Sequence, residues 1–144
     1  MRRWWRALAV PALLLLILIL FYWKIVLTSQ YTWLDSPDYA YQVLPWYQFQ
    51  AAEWHSGRVP LWEAHQWGGQ PLIGQAQPGV AYPLNWLLFR MPLRDGKIRR
   101  DYVHWYYVFI HYMAALFMYW LCRDLGRSRG AALLGGLVAA RRRL

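Results

Sequence analysis

Two aspartates, Asp35 and Asp38, lie close together in the run LDSPDYAYQ, just past a long apolar stretch. A carboxylate so placed can deprotonate a hydroxyl as a general base or help to hold a divalent cation. It can equally cap a helix, and Ser36–Pro37 between the pair suits a turn that opens one. Downstream, Gln66, Gln70, Gln75, Gln77 and Asn85 offer neutral hydrogen-bonding groups beside Trp62 and Trp67. Amides next to flat aromatic faces suit a polyhydroxylated ligand such as a sugar. The alternative is that the tryptophans anchor the segment at a lipid interface while the amides satisfy the backbone. His55 and His65 are too isolated to define a metal site, and Glu53 and Glu63 read as solvated. Cys122 is the only cysteine. An intrachain disulfide and a cysteine-based metal cluster are therefore excluded.

The elements that must position these groups are apolar blocks. Ala7 to Leu27 carries one charge, Lys24, near its end, and a helix needs about 20 such residues to cross the hydrocarbon of a bilayer. Tyr22, Trp23 and the snorkelling Lys24 suit the interface. A cleaved signal peptide is the rival, but the run ends in bulky aromatics without a small-residue cleavage site. Tyr102 to Cys122 forms a second span. It contains His104 and His111, whose spacing puts them on one helical face. Ionisable groups within a span are functional suspects; the plainer expectation is that His104 sits at the interface and His111 bonds to a neighbouring helix. Ala131 to Ala140 reaches only about 15 Å at 1.5 Å per residue before Arg141–Arg143, and residues 131–144 read as a third span cut short.

The composition agrees with these blocks. Of the 144 residues, 58% are apolar, 19% aromatic and 16% charged, and the net charge is +9; soluble domains carry about 25% charged residues. The cations flank the apolar runs, which suits lipid headgroups. No basic stripe or nucleic-acid motif is present, so nucleic acid is not an expected partner. Arg2, Arg3 and Arg6 precede the first span and Arg123, Arg127 and Arg129 follow the second. This places residues 1–6 and 123–130 in the cytoplasm, although Lys97, Arg99 and Arg100 argue the other way. Residues 28–101 are then extracytoplasmic.

Those residues form a long loop whose aromatic content is the opposite of a disordered composition. Pro45 and Gly57 bracket a short helix over Pro45–Ser56, with Trp46, Tyr47, Phe49 and Trp54 on one broad side and Gln48, Ala52 and His55 opposite; such a helix lies in the interface plane. A second short helix is expected over Leu84–Arg90. Between them, Pro60, Pro71, Pro78 and Pro83 exclude helix, and Gly68–Gly69 permits a tight turn. The expected fold is an all-α membrane protein with two transmembrane helices plus a truncated third. Its large extracytoplasmic loop carries short interfacial helices, and the location is a multi-pass one in a cell membrane.

The order of parts and four motifs resemble a known family. Asp38 and Gln42 form D-x-x-x-Q ahead of Pro45–Trp46. Ser56 to Trp62 reads S-G-R-V-P-L-W, Gly68 to Leu72 reads G-G-x-P-L, and Gln77 to Asn85 reads Q-x-G-x-x-Y-P-L-N. Together they are similar to the YfhO-like bacterial membrane proteins, which follow the GT-C glycosyltransferase plan; the resemblance covers roughly residues 1 to 140. It implies transfer of a sugar from a polyprenyl-phosphate carrier to an extracytoplasmic acceptor. Asp38 would activate the acceptor or steady a metal, with Asp35 as the less fitting substitute. Gln42, Trp62, Trp67, Gln77 and Asn85 would line the substrate site. The family has more spans than are seen here, so the chain reads as an N-terminal piece. A non-catalytic membrane accessory or binding protein, or an inactive gene fragment, is the alternative.

Overall fold

The computed structural model describes residues 2–28, 30–33 and 36–140, with side chains from Ala9 onward. Helices dominate, and the chain divides into two compact units: Met1–Gln30 with Trp105–Leu144, and Tyr31–His104. Asp35 and Arg141–Arg143 lie outside the described residues.

The first unit is built from apolar helices. α1 (Arg2–Phe21) is followed by the single turn α2 (Trp23–Val26), so the expected continuous span over Ala7–Leu27 is broken at Tyr22. The break sets the Tyr22 ring edge-on to Phe21 and, with ring centroids 5.4 Å apart, against His111. α5 (Arg100–Asp124) covers the expected second span and extends beyond it at both ends, and α6 (Arg129–Ala140) covers the described part of the third apolar segment. Among the described residues, α5 is the one helix long and apolar enough to cross a membrane; Ala9–Phe21 and Arg129–Ala140 are shorter apolar helical stretches.

The core of this unit joins Leu14 and Leu18 of α1, Ala115, Leu116 and Tyr119 of α5, and Ala132 and Ala140 of α6. Ala132, Gly136 and Ala140, one turn apart on α6, are all buried. Such small residues let helix backbones approach closely. Gly136 is where the approach is tightest: a Cβ there would lie 2.8 Å from the backbone oxygen of Ala115. The outward sides are apolar as well. Leu20 is 60% exposed and Val138 is 70% exposed, and Phe117, Trp120 and Leu121 are exposed with them.

The second unit packs α3 (Leu44–His55) on α4 (Pro83–Phe89), through Tyr47 against Phe89 and Trp54 against Trp86. Pro83 stands in the first turn of α4, where the missing N–H costs nothing. Ahead of α3, Tyr39–Val43 form a π-helical turn. Pro45 accounts for it: proline has no N–H for the carbonyl four residues back and its ring crowds that carbonyl, and the wider turn relieves both.

The expected interfacial face of α3 is only partly the observed one. Trp46 and Tyr47 are buried, but the buried stripe continues through Gln50 and Ala51, while Phe49 and Trp54 are half-buried. Two short strands, not anticipated from sequence, interrupt the Pro/Gly-rich segment. β1 (Trp62–Glu63) pairs antiparallel with β2 (Gln70–Pro71), matching Trp62 to Pro71 and Glu63 to Gln70. The connection between them closes through Trp67, Gly68 and Gly69, all with positive φ. Pro71 cannot donate to a ladder and so stands at an edge. Trp46, Leu72 and Val80 form the core of this part, with Phe49 against it.

Candidate functional site

Asp38 stands exposed immediately before the π-helical turn, and its side chain makes no capping hydrogen bond there. Helical backbone begins at Pro37, so Asp38 lies within the first turn and does not cap it; Asp35, the other candidate cap, lies outside the described residues. One turn later, Gln42 is exposed and its Nε2 donates to Oε1 of Gln77 at 3.4 Å. Two residues expected to line a substrate site are therefore brought together from segments distant in sequence.

A row of amides continues along α3. Gln50 is 0% exposed, and its Nε2 donates to the carbonyl of Pro78 at 2.9 Å while its Oε1 has no hydrogen-bond partner. Trp46 Nε1 donates to Oε1 of Gln66 at 3.1 Å, and Gln70 Nε2 reaches the same oxygen at 3.4 Å. Gln48 grips the backbone of Ile98 at both its groups: Ile98 N donates to Oε1 at 2.7 Å, and Nε2 donates to the Ile98 carbonyl at 3.4 Å. These side chains tie the proline-rich segment and the chain before α5 onto one helix.

The two expected aromatic platforms are on the hairpin. Trp67 is 90% exposed and adopts φ 56°, a conformation uncommon outside glycine and a strained one for a large side chain. Trp62, over half exposed, lies against Gly69, where a Cβ would meet its ring at 2.9 Å. Glycine is therefore needed at position 69 for a positive φ and for the close approach of the indole.

Asn85 is placed differently from a ligand-facing residue. It is buried, and its Nδ2 donates to the carbonyl of Gly79 at 3.0 Å; Trp86 Nε1 donates to the carbonyl of Val80 at 2.8 Å. Both bonds fasten the turn that leads into α4. The Y-P-L-N stretch thereby has a structural role that its spacing did not disclose.

The acidic residues also correct the sequence reading. Glu63 is buried, and its Oε1 accepts the His65 backbone N–H at 2.8 Å. Glu53 is paired with Arg58 through two bonds, of 2.6 and 2.8 Å. The hydrogen bond from Arg58 holds the Glu53 carboxyl below its usual value, against partial burial acting the other way. Neither carboxylate is simply solvated. His65 lies edge-on to Phe49, and His55 Nε2 donates to the Met91 carbonyl at 3.1 Å.

His104 Nε2 shares a 2.9 Å hydrogen bond with the Thr32 hydroxyl, and Trp33 lies edge-on to its ring. The Nδ1 of His111 is 2.7 Å from the Tyr107 carbonyl of its own helix, and its ring packs against Tyr22. A carbonyl only accepts, so Nδ1 carries a proton. Among the described residues, no three His, Cys, Asp or Glu side chains are grouped as metal ligands would be.

The arrangement presents an unengaged carboxylate one turn from the Gln42–Gln77 amide pair, and an exposed indole at Trp67 on the hairpin. Gln50 was missed as a structural group because its bond to Pro78 joins residues distant in sequence. No protein-family model, curated protein or solved structure matches this chain.

Proposed function

We propose that the chain is a multi-pass membrane protein of glycosyltransferase-like plan, taking a sugar from a polyprenyl-phosphate donor to an acceptor outside the cytoplasm. The membrane part is supported by α5 and by the outward apolar side chains of the first unit, which in water would form an unusually large exposed patch. The observation that carries the chemical part is the exposed, uncapped carboxylate of Asp38 one turn before the Gln42–Gln77 pair. In this reading Asp38 takes the proton of the acceptor hydroxyl as that oxygen displaces the carrier phosphate at the anomeric carbon. Trp62 and Trp67 stack on sugar faces, and Gln42 and Gln77 orient ring hydroxyls.

The test is sugar transfer by membranes bearing the protein, supplied with polyprenyl-phosphate sugars. Asp38→Asn should abolish transfer while leaving the amount of protein in the membrane unchanged. Undiminished transfer removes Asp38 from the mechanism. A reporter fused at Gly74 should be active only outside the cytoplasm.

A second reading is a non-catalytic binding component. It is favoured by the number of polar groups already engaged internally, Asn85, Gln50 and Gln66 among them. It predicts that sugar binds without turnover, and that binding survives Asp38→Asn.

A further inference from the structure

The chain before α5 holds a polar cleft of about 460 Å3 lined by Arg94, Asp95, Lys97, Ile98, Arg99, Arg100 and Asp101. Its cations are placed against ordinary electrostatic preference. Arg94 and Lys97 exchange both backbone hydrogen bonds, at 2.9 and 3.0 Å, across the tight turn Asp95–Gly96. They are therefore directly opposed, and like charges in that relationship destabilise a pair. Arg100 opens α5, where the helix dipole disfavours a cation. Arg99 is neutralised by Asp101 at 2.6 Å and lies over the Tyr102 ring. Arg94, Lys97 and Arg100 have no side-chain partner among the described residues. The turn is not a loose tail, because Gln48 of α3 clamps both backbone groups of the buried Ile98 beside it.

An anion in the cleft would relieve both unfavourable placements at once. Position favours a lipid as its source. The cleft directly precedes the apolar helix, whose first turns carry Tyr102, Trp105, Tyr106 and Tyr107, the residue types that collect at headgroup level. We propose that this cleft holds the phosphate of an anionic bilayer lipid through Arg94, Lys97 and Arg100. The proposal rests on α5 being a membrane span and is independent of sugar transfer. It accounts for cations on the side of α5 where loop charge alone would disfavour them.

The experiment uses the full chain in neutral detergent. Short-chain phosphatidylglycerol, phosphatidylcholine and inorganic phosphate are added, and retained molecules are counted by native mass spectrometry. Phosphatidylglycerol should be retained at least fivefold over phosphatidylcholine, and millimolar inorganic phosphate should not displace it. The triple change Arg94→Gln, Lys97→Gln, Arg100→Gln should remove the preference, and Lys97→Gln alone should at least halve it. The charge-conserving pair Arg94→Lys, Arg100→Lys should keep most of it, as should the control Arg123→Gln, Arg127→Gln at the other end of α5. Equal retention of the two lipids overturns the proposal. So does an undiminished preference in the folded triple variant or in Lys97→Gln, or an equal loss in the control. Displacement by inorganic phosphate overturns the lipid assignment. A chain that stays monomeric without detergent would instead overturn the membrane reading, and intact lipid preference with no sugar transfer would overturn only the enzymatic one.

Discussion

Gln50 Nε2 donates to the carbonyl oxygen of Pro78 at 2.9 Å, joining a fully buried side chain of α3 to a loop that cannot bond to itself in any regular way. A proline-rich segment supplies few N–H groups, so its carbonyls need donors from elsewhere. Gln50 supplies one, and leaves its own Oε1 unmatched in doing so. Gln50→Met keeps the volume and strands the Pro78 carbonyl, which should cost about 1–3 kcal/mol. Gln50→Glu would add a buried charge and should be worse. Thermal unfolding in detergent, followed by tryptophan fluorescence, checks the order wild type, Met, Glu.

Gly79 and Asn85 form the other fastening of that loop. Gly79 has φ 61°, and a Cβ on it would lie 2.5 Å from Asn85 Nδ2. Gly79→Ala therefore meets backbone strain of about 1–3 kcal/mol and also displaces the amide that holds the Gly79 carbonyl. Asn85→Leu should destabilise the same turn without the strain. Faster proteolysis between Pro78 and Tyr82 in both variants, with Gly79→Ala the faster, is the expected result.

How much of this was legible in the sequence depended on whether the signal was local. Pro45 and Gly57 marked a helix over Pro45–Ser56, and α3 runs Leu44–His55. The expected Leu84–Arg90 helix is observed one residue earlier, as Pro83–Phe89. Proline's missing N–H and glycine's left-handed φ act within one turn, so the residues alone carry them. Gln50 gave no such sign, because its partner Pro78 lies elsewhere in the chain. The break at Tyr22 was invisible for a related reason: the apolar run is continuous, and the ring's place beside His111 depends on another helix. For the candidate site, Gln42 and Gln77 were singled out by motif and do meet, whereas Asn85 was singled out by the same reasoning and serves the turn.

Gly135 and Gly136 on α6 offer a paired test of the helix contact. A Cβ on Gly135 would meet Cys122 Sγ at 3.0 Å, whereas one on Gly136 would meet the Ala115 backbone oxygen at 2.8 Å. A thiol can rotate aside and a helix carbonyl cannot. Gly135→Ala should therefore be nearly neutral, and Gly136→Ala should cost about 1–3 kcal/mol as an overpacked contact. Maleimide labelling of Cys122, the only cysteine, reports the consequence: its rate should rise several-fold in Gly136→Ala as α6 is pushed away. Equal rates in the two variants would show that backbone contact does not set the helix spacing.

Trp67 and Trp62 separate binding from folding. Trp67 is 90% exposed, so Trp67→Ala should leave stability within about 0.5 kcal/mol. If the indole stacks on a sugar face, the same change removes about 0.5–1.5 kcal/mol of contact, a few-fold to about tenfold in affinity. Trp62 also covers Gly69, so Trp62→Ala should lower both stability and affinity. Titration with soluble oligosaccharides checks this, and unchanged affinity in Trp67→Ala would remove the platform.

The Glu53–Arg58 pair closes the C-terminal end of α3, where the Arg58 N–H also donates to the Glu53 carbonyl at 2.9 Å. Glu53 has its carboxyl held below the usual value by the bond from Arg58. The folded form therefore binds this proton less readily than the unfolded form does. The sign follows: the pair's contribution is fully present above the ordinary glutamate value, about 4.3, and is lost as pH falls from there through the lower folded value. Amide exchange at Gly57 and Arg58, corrected for intrinsic rates, should show protection constant from pH 7 to about 5 and declining below about 4. In Glu53→Gln the protection should be lower throughout and flat over the same range. The effect is small because Arg58 is well exposed, so it should be confined to this helix end and leave the amides around Gln50 unchanged.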